Sequence, residues 1–196
     1  MKLIRDFLSE IDERWKFVGG EPIRLRLIGS AALMLQTDYE RGTKDSDVLE
    51  AEEITPAVKA QLLELGGPKT SLFEKYRMYL EVVTQAILFL PQGPVFHPVQ
   101  NLALKNFSVE VLGVTDIVIS KLKRLNQNDS DDIKAMVKRK LLDHGELVSR
   151  FESAVDMYSM DARAEDLDKY IANLNRIERD FLGMPESKIE KPDWMQ

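Results

Sequence analysis

Two aspartates two residues apart, Asp45 and Asp47, are the feature of this sequence with the most chemistry in it. They lie in TKDSDVLEA, a short run that reads as a strand, and side chains at i and i+2 of a strand point to the same face. Both carboxylates can therefore aim at one spot, while Lys44, Ser46 and Val48 face away. Paired carboxylates suit Mg2+, a hard cation that keeps several waters and takes its remaining ligands from a substrate's phosphates. Two such ions, about 3.5–4 Å apart, stabilise both the attacking and the leaving oxygen of an in-line phosphoryl or nucleotidyl displacement. Gly29-Ser30 is the matching anion cradle: glycine lets the backbone approach closely, and a following helix offers unpaired N–H groups. The Ser30 hydroxyl adds one donor, and Arg41 and Lys44 add positive charge nearby, the direction of each being left open. A third carboxylate would take the proton of an attacking hydroxyl or complete the ligand set. Glu81 is the first choice, a charge mid-strand among apolar neighbours in residues 78–83, and Glu110, in Val109-Glu110-Val111, is its rival.

The elements that position these residues can be read from periodicity. Leu3, Ile4, Phe7, Leu8, Ile11 and Trp15 fall at helical spacing, so an amphipathic helix opens the chain. IRLRLIG, after Pro22, alternates as a strand and closes on Gly29, and SAALMLQ follows as a short helix. Thr55 caps a helix with Pro56 at its first position. RMYLEVVTQAILFL begins as a strand and is bounded by Pro91; residues 91–100 are a loop or a sheet edge, and NFSVEVLG is a further strand. Helices are expected over 115–125, 131–142, 144–160 and 164–182, with 126–129 as a separator. The polar residues 185–196 read as a loose tail. The fold class expected is α+β, strands and helices over residues 1–113 followed by a helical region, 114–196, packed on that core. Leu167, Tyr170, Ile171, Leu174, Ile177 and Phe181 form an apolar stripe that serves either as core or as a dimer face.

Composition narrows the chemistry. There is no cysteine, which removes thiolate zinc sites, disulfides and cysteine nucleophiles. The two histidines, His97 and His144, are too few for a histidine-rich metal site, and neither lies near a nucleophile elbow. The formal net charge of −6 argues against a non-specific nucleic-acid coat, while leaving room for a local basic groove. Charges interrupt the first apolar stretch, and no apolar run approaches the ~18 residues of a membrane span. The expectation is a soluble cytoplasmic protein.

The segment LIGSAALMLQTDYERGTKDSDV resembles the nucleotidyltransferase superfamily, whose hallmark is an apolar strand ending in Gly-Gly or Gly-Ser, a short helix, then Asp-x-Asp. Its fuller form, Arg41-Gly42-Thr43-Lys44-Asp45-Ser46-Asp47, resembles the branch of AbiEii-type toxins and related uncharacterised nucleotidyltransferases. VEVLGVTDIVISKLKRLNQNDSDDIKAM is similar to that branch's later block. The resemblance covers roughly residues 20–140. It implies a mixed sheet with flanking helices, Mg2+ and a nucleoside triphosphate donor. Carried over residue by residue, Gly29 and Ser30 would meet the triphosphate, and Asp45 and Asp47 would hold metal. Lys121 and Arg124 would approach phosphate or acceptor, with Asp129 and Asp132 organising them. The sequence departs from the pattern at Glu81, where the usual third carboxylate is Asp, and at Asn128, where the later block expects Lys. The leading reading is a nucleotidyltransferase that moves a nucleoside monophosphate onto a hydroxyl of a protein, an RNA or a small molecule, with a place in a toxin–antitoxin system left open; a catalytically inactive binding or regulatory protein of the same fold is the alternative.

Overall fold

The structure is a computed structural model that describes residues 2–16, 20–42, 45–84, 88–158 and 166–191. The chain divides into two compact units, residues 1–87 with 96–112, and residues 88–95 with 113–196.

The first unit is a five-stranded mixed sheet with helices. In chain order it contains α1 (Lys2–Glu13), β1 (Ile23–Leu27), α2 (Gly29–Gln36), β2 (Asp45–Leu49), α3 (Pro56–Gly66), α4 (Ser71–Tyr76), β3 (Tyr79–Val83), β4 (Phe96–Pro98) and β5 (Phe107–Leu112). The strand order is β3-β2-β1-β5-β4. β1 runs antiparallel to β2 and parallel to β5, β2 runs parallel to β3, and β4 is antiparallel to β5. Registers such as Leu27 with Val48, Leu27 with Val111 and Val48 with Val82 place one set of apolar residues on a common face. Leu25, Leu27, Val48, Leu80 and Val111 on that face are buried. α2 packs on β2 and β5, α3 on β3, and α1 on α2, α3 and α4. Ile4, Phe7, Leu8 and Ile11 of α1 and the following Trp15 are buried, whereas Leu3 of the same apolar stripe is exposed. α1 is also tied down by Asp12, whose carboxylate accepts from the backbone N–H groups of Lys105 and Asn106, both at 2.8 Å.

α4 was not expected from the sequence. Thr70 Oγ1 accepts from Phe73 N at 3.2 Å, and a helix of only six residues is too short for its periodicity to register. β4 realises the sheet edge expected within 91–100, and Phe96, the residue before His97 and Pro98, pairs in register with Leu112.

The second unit is helical: α5 (Val114–Leu122), α6 (Gln127–Lys138), α7 (His144–Tyr158) and α8 (Leu167–Ile177), the last continued by a π-helical turn over Glu178–Leu182. α6 starts earlier than expected. Asn126 Oδ1 accepts from Asp129 N, and Asp129 Oδ2 accepts from Asn126 N, a capping box that converts the anticipated separator into the first turn. Leu167, Tyr170, Leu174 and Ile177 are wholly buried, so the stripe of α8 is core. Phe89 enters the same core, its ring centroid 5.3 Å from Phe151 and 5.0 Å from Tyr170. Asp116, also buried, accepts from Val95 N and from two nitrogens of Arg150. The residues after α8 are pinned rather than loose as far as 191. The buried Glu178 carboxylate accepts from Ser187 N and Oγ and contacts His144 Nε2, while Lys191 pairs with Asp168. Among the described residues no helix is long and apolar enough to cross a membrane.

Candidate active site

β1 ends at Leu27, and the chain turns at once into α2. The turn is possible because Gly29 takes a left-handed backbone conformation, φ +67°. Ile28 N donates to Asp47 O at 2.9 Å, so the turn is stitched to β2 as it leaves the sheet. The same closeness appears at the side chain: a Cβ placed on Gly29 would lie 3.1 Å from Asp47 Oδ2. The start of α2 and the Asp47 carboxylate therefore share one small space, which only a glycine leaves open.

Asp45 and Asp47 occupy one face of β2, opposite to Ser46 and Val48, as their spacing requires; Ser46 and Val48 are fully buried. Across the parallel pair, Asp45 stands beside Tyr79 and Asp47 beside Glu81. Three carboxylates thus lie on one face of two adjacent strands. Asp47 is half-buried, whereas Asp45 and Glu81 are exposed. Tyr79 reports on their combined field. Burial pushes its phenol pKa up, and the charges of Asp45, Glu81 and Asp47 push it further, so the hydroxyl keeps its proton. The ring of Tyr79 meets Phe73 of α4 edge-on, centroids 6.0 Å apart. Tyr79 was passed over in the sequence, although it lies two residues before Glu81 and so had to share its face.

Glu110 lies on the same face of the sheet, but on β5, with β1 between it and β2. It is taken up by two arginines: Arg26 Nε is 3.2 Å and Arg24 Nε 3.7 Å from its oxygens. Arg26 also stacks over the Phe96 ring at 5.0 Å. Of the two rival glutamates, Glu81 is the one that stands next to Asp47.

Ser30 opens α2, and its hydroxyl accepts from Arg41 Nη2 at 2.6 Å. Arg41 Nη1 donates to Gly42 O at 3.3 Å. The question the sequence left open for Arg41 is thereby answered: its guanidinium turns in towards the head of α2. Lys44, for which the same question was raised, lies outside the described residues.

The later block forms a cluster of its own in the helical unit. Lys121 is 5% exposed, with Nζ 3.1 Å from Asp129 Oδ1 and 2.8 Å from Asp132 Oδ2. Arg124 Nε is 2.8 Å from Asp129 Oδ2. Burial works against the Asp129 charge but is outweighed by the Arg124 hydrogen bond and the Lys121 charge, which hold this carboxyl below its ordinary value. Lys121 is thus the internal counter-charge of two aspartates, while the Arg124 side chain remains 69% exposed.

The first cluster fits a divalent cation in donor chemistry. Its donor atoms are carboxylate oxygens, the kind of ligand that a hard divalent cation takes. Among the described residues no three acidic or imidazole groups form a ready-made metal cage. Mg2+ does not need one, because it is commonly bound by one or two carboxylates plus water and substrate phosphates.

No curated protein and no solved structure matches the chain. A family profile matches residues 6–182, spanning the glycine turn, the three carboxylates and the later Lys-Arg-Asp cluster. The chain belongs to that family, described as nucleotidyltransferase of unknown function (DUF6036).

Proposed function

We propose that this chain is a Mg2+-dependent nucleotidyltransferase that moves a nucleoside monophosphate from a nucleoside triphosphate to a hydroxyl of a protein, an RNA or a small molecule. The observation that carries the reading is the shared face of β2 and β3, where Asp45, Asp47 and Glu81 stand together with Asp47 beside the Gly29 turn.

Asp45 and Asp47, with Glu81 beside them, would hold the cation. When bound, Mg2+ supplies charge neutralisation at the phosphates and at the departing oxygen. The chain's own residues do the rest. The N-terminus of α2 receives phosphate oxygens on backbone N–H groups and the Ser30 hydroxyl, and Arg41, already at Ser30, adds a cationic donor. Glu81 accepts the proton of the acceptor hydroxyl. The hydroxyl oxygen forms its bond to the α-phosphorus as the bond from that phosphorus to the bridging oxygen breaks, and pyrophosphate leaves. Tyr79, kept protonated, offers an O–H donor at the edge of the site. Within the helical unit, Lys121, Asp129 and Asp132 would hold the helix start beside which Arg124 keeps a largely exposed cationic side chain, the residue there suited to a phosphate or an acceptor.

The test is transfer of label from α-labelled triphosphates, in the presence of Mg2+, to cell extract or total RNA. Wild type labels an acceptor and Asp45→Ala does not; equal labelling by the two would sink the assignment. Nucleotide binding without pyrophosphate release would favour the regulatory alternative. The resemblance to AbiEii-type toxins extends the proposal to one half of a toxin–antitoxin pair, which growth arrest on expression and its relief by a neighbouring gene product would test.

A further inference from the structure

The strand order β3-β2-β1 gives the candidate active site two sides. Gly29-Ser30, where the proposed function puts the phosphates, follows β1 and lies to one side of Asp45 and Asp47. Glu81, the base of that proposal, lies to the other side, on β3. An in-line displacement brings the attacking oxygen in opposite to the departing pyrophosphate, so an acceptor hydroxyl would enter from the β3 side. The protein has a hydroxyl of its own there. Tyr79 pairs across the strands with Asp45 and stands two residues before Glu81, on the same face. Building on the reading under Proposed function, we infer that Tyr79 is itself an acceptor, and that the chain transfers a nucleoside monophosphate to its own Tyr79 phenol.

The setting of Tyr79 differs from that of the tyrosines used for packing. The Tyr76 hydroxyl donates to Glu10 Oε2 at 2.6 Å, and the buried Tyr158 and Tyr170 hydroxyls lie 3.5 Å from each other. Among the described residues the Tyr79 hydroxyl has no such partner, and the side chain is only half-buried. Its ring is nevertheless held, edge-on against Phe73, which favours a fixed line of approach over a sweeping one. Reach is adequate as well. Neighbouring strands lie about 4.8 Å apart, and a phenol extends further from the sheet than a carboxylate, past Asp45 to the level of a metal-bound phosphate. In the transfer the phenol oxygen bonds to the α-phosphorus as the bond from that phosphorus to the bridging oxygen breaks. Pyrophosphate leaves, and the phenolic proton passes to Glu81. The product is a phosphodiester joining Tyr79 to the nucleoside. Because donor site and phenol belong to adjacent strands of one sheet, the transfer is intramolecular, and it stops at one nucleotide per chain once the ester fills the acceptor side.

The experiment incubates the purified full chain with Mg2+ and ATP, GTP, CTP or UTP, without added acceptor, and follows it by intact-mass and fragmentation mass spectrometry. With at least one triphosphate, wild type should gain the mass of one nucleoside monophosphate less one water, mapped to Tyr79. The fraction modified per minute should be the same across a tenfold dilution of the chain. Tyr79→Phe, which keeps a ring against Phe73 and should remain folded by circular dichroism, should gain nothing. A nucleotide mapped to another residue of wild type, or a gain that persists in Tyr79→Phe, would overturn the assignment. So would a modified fraction that grows in proportion to chain concentration. Label transfer by wild type to cell extract or total RNA, with Tyr79 left unmodified, would overturn this inference and leave the proposed function standing. Neither self-modification nor transfer to any acceptor would overturn both.

Discussion

Replacing Gly29 tests the link between backbone and chemistry, because the structure separates what the substitution does to stability from what it does to the site. At φ +67° an alanine sits in the left-handed region, which costs an L-residue about 1–2 kcal/mol. The added Cβ would stand 3.1 Å from Asp47 Oδ2, and the atom it meets is the end of a side chain, which yields by a few tenths of an ångström at small cost. Gly29→Ala should therefore lose about 1–2 kcal/mol in urea denaturation and remain folded, given stabilities of about 5–15 kcal/mol for ordinary domains. Transfer activity should fall further than stability does. A misplacement of about 1 Å can cost on the order of 10²-fold, so a shift of a few tenths at a metal-facing carboxylate should cost on the order of tenfold. Gly29→Asn separates the two effects. Asparagine tolerates the left-handed region better, so the stability loss shrinks, but its Cβ occupies the same place, so the activity loss persists. Wild-type stability in Gly29→Ala would refute the backbone argument. A folded, fully active Gly29→Asn would refute the claim that Asp47 has no room to spare.

Glu81→Gln should lower transfer by about 10²-fold or more while Glu110→Gln leaves it unchanged, since only Glu81 stands beside Asp47. Ultraviolet titration of Glu81→Gln should also show the Tyr79 phenol returning part of the way to its ordinary value, as one of the charges holding it up is gone. Hydrogen bonds from Lys75 and then Tyr76 lower the Glu10 carboxyl from its ordinary value to about 2. Its stabilisation is therefore present above about pH 4.5 and is lost as pH falls towards 2. Because Lys75 is exposed, the effect is discounted to about 1 kcal/mol, and the gap between wild type and Glu10→Gln in urea midpoints should close across that window. Gln61 is buried with neither amide atom hydrogen-bonded, so Gln61→Met should raise the unfolding midpoint by an amount worth about 1–3 kcal/mol; an unchanged midpoint would mean that internal water serves the amide. Asp12→Ala should cost about 2–3 kcal/mol in the same assay, because two backbone N–H groups lose their acceptor.

The parts of the fold that sequence could reach are those whose cause is local. Asp45 and Asp47 share a face because strand periodicity leaves no other choice, and Gly29 opens a turn because few residues take its conformation. The mixed sheet with its flanking helices followed from alternation, glycine punctuation and the resemblance together. What was hidden depends on pairing between distant segments. Nothing local distinguishes Glu81 from Glu110, both mid-strand charges among apolar neighbours; the strand order decides, setting one beside Asp47 and the other between Arg24 and Arg26. The start of α6 was missed because Asn126 and Asp129 look like turn residues until their reciprocal hydrogen bonds are seen. Phe89 reads as the end of a strand run, yet it belongs to the core of the helical unit, a placement fixed by Phe151, Tyr158 and Tyr170 more than 60 positions away.

The distribution of charge in the chain supports the proposal of a ligand site at the carboxylate face. Elsewhere, carboxylates withdrawn from solvent are compensated within the protein: Asp116 by Arg150, Asp129 and Asp132 by Lys121, Glu110 by two arginines, and Asp12 by two peptide N–H groups. At the head of β2 and β3 the arrangement is of another kind, since the cross-strand neighbour of Asp47 is a second acid. Like charges set side by side across a strand pair destabilise it by some tenths of a kcal/mol to about 1 kcal/mol. The raised Tyr79 pKa is a second sign of the same accumulated negative potential. Beside these three acids a glycine holds a left-handed turn, which adds a conformational cost of its own. Such departures from local stability rules gather where function requires them. A cation carried in with phosphates would turn that repulsion into attraction, as the proposed function requires.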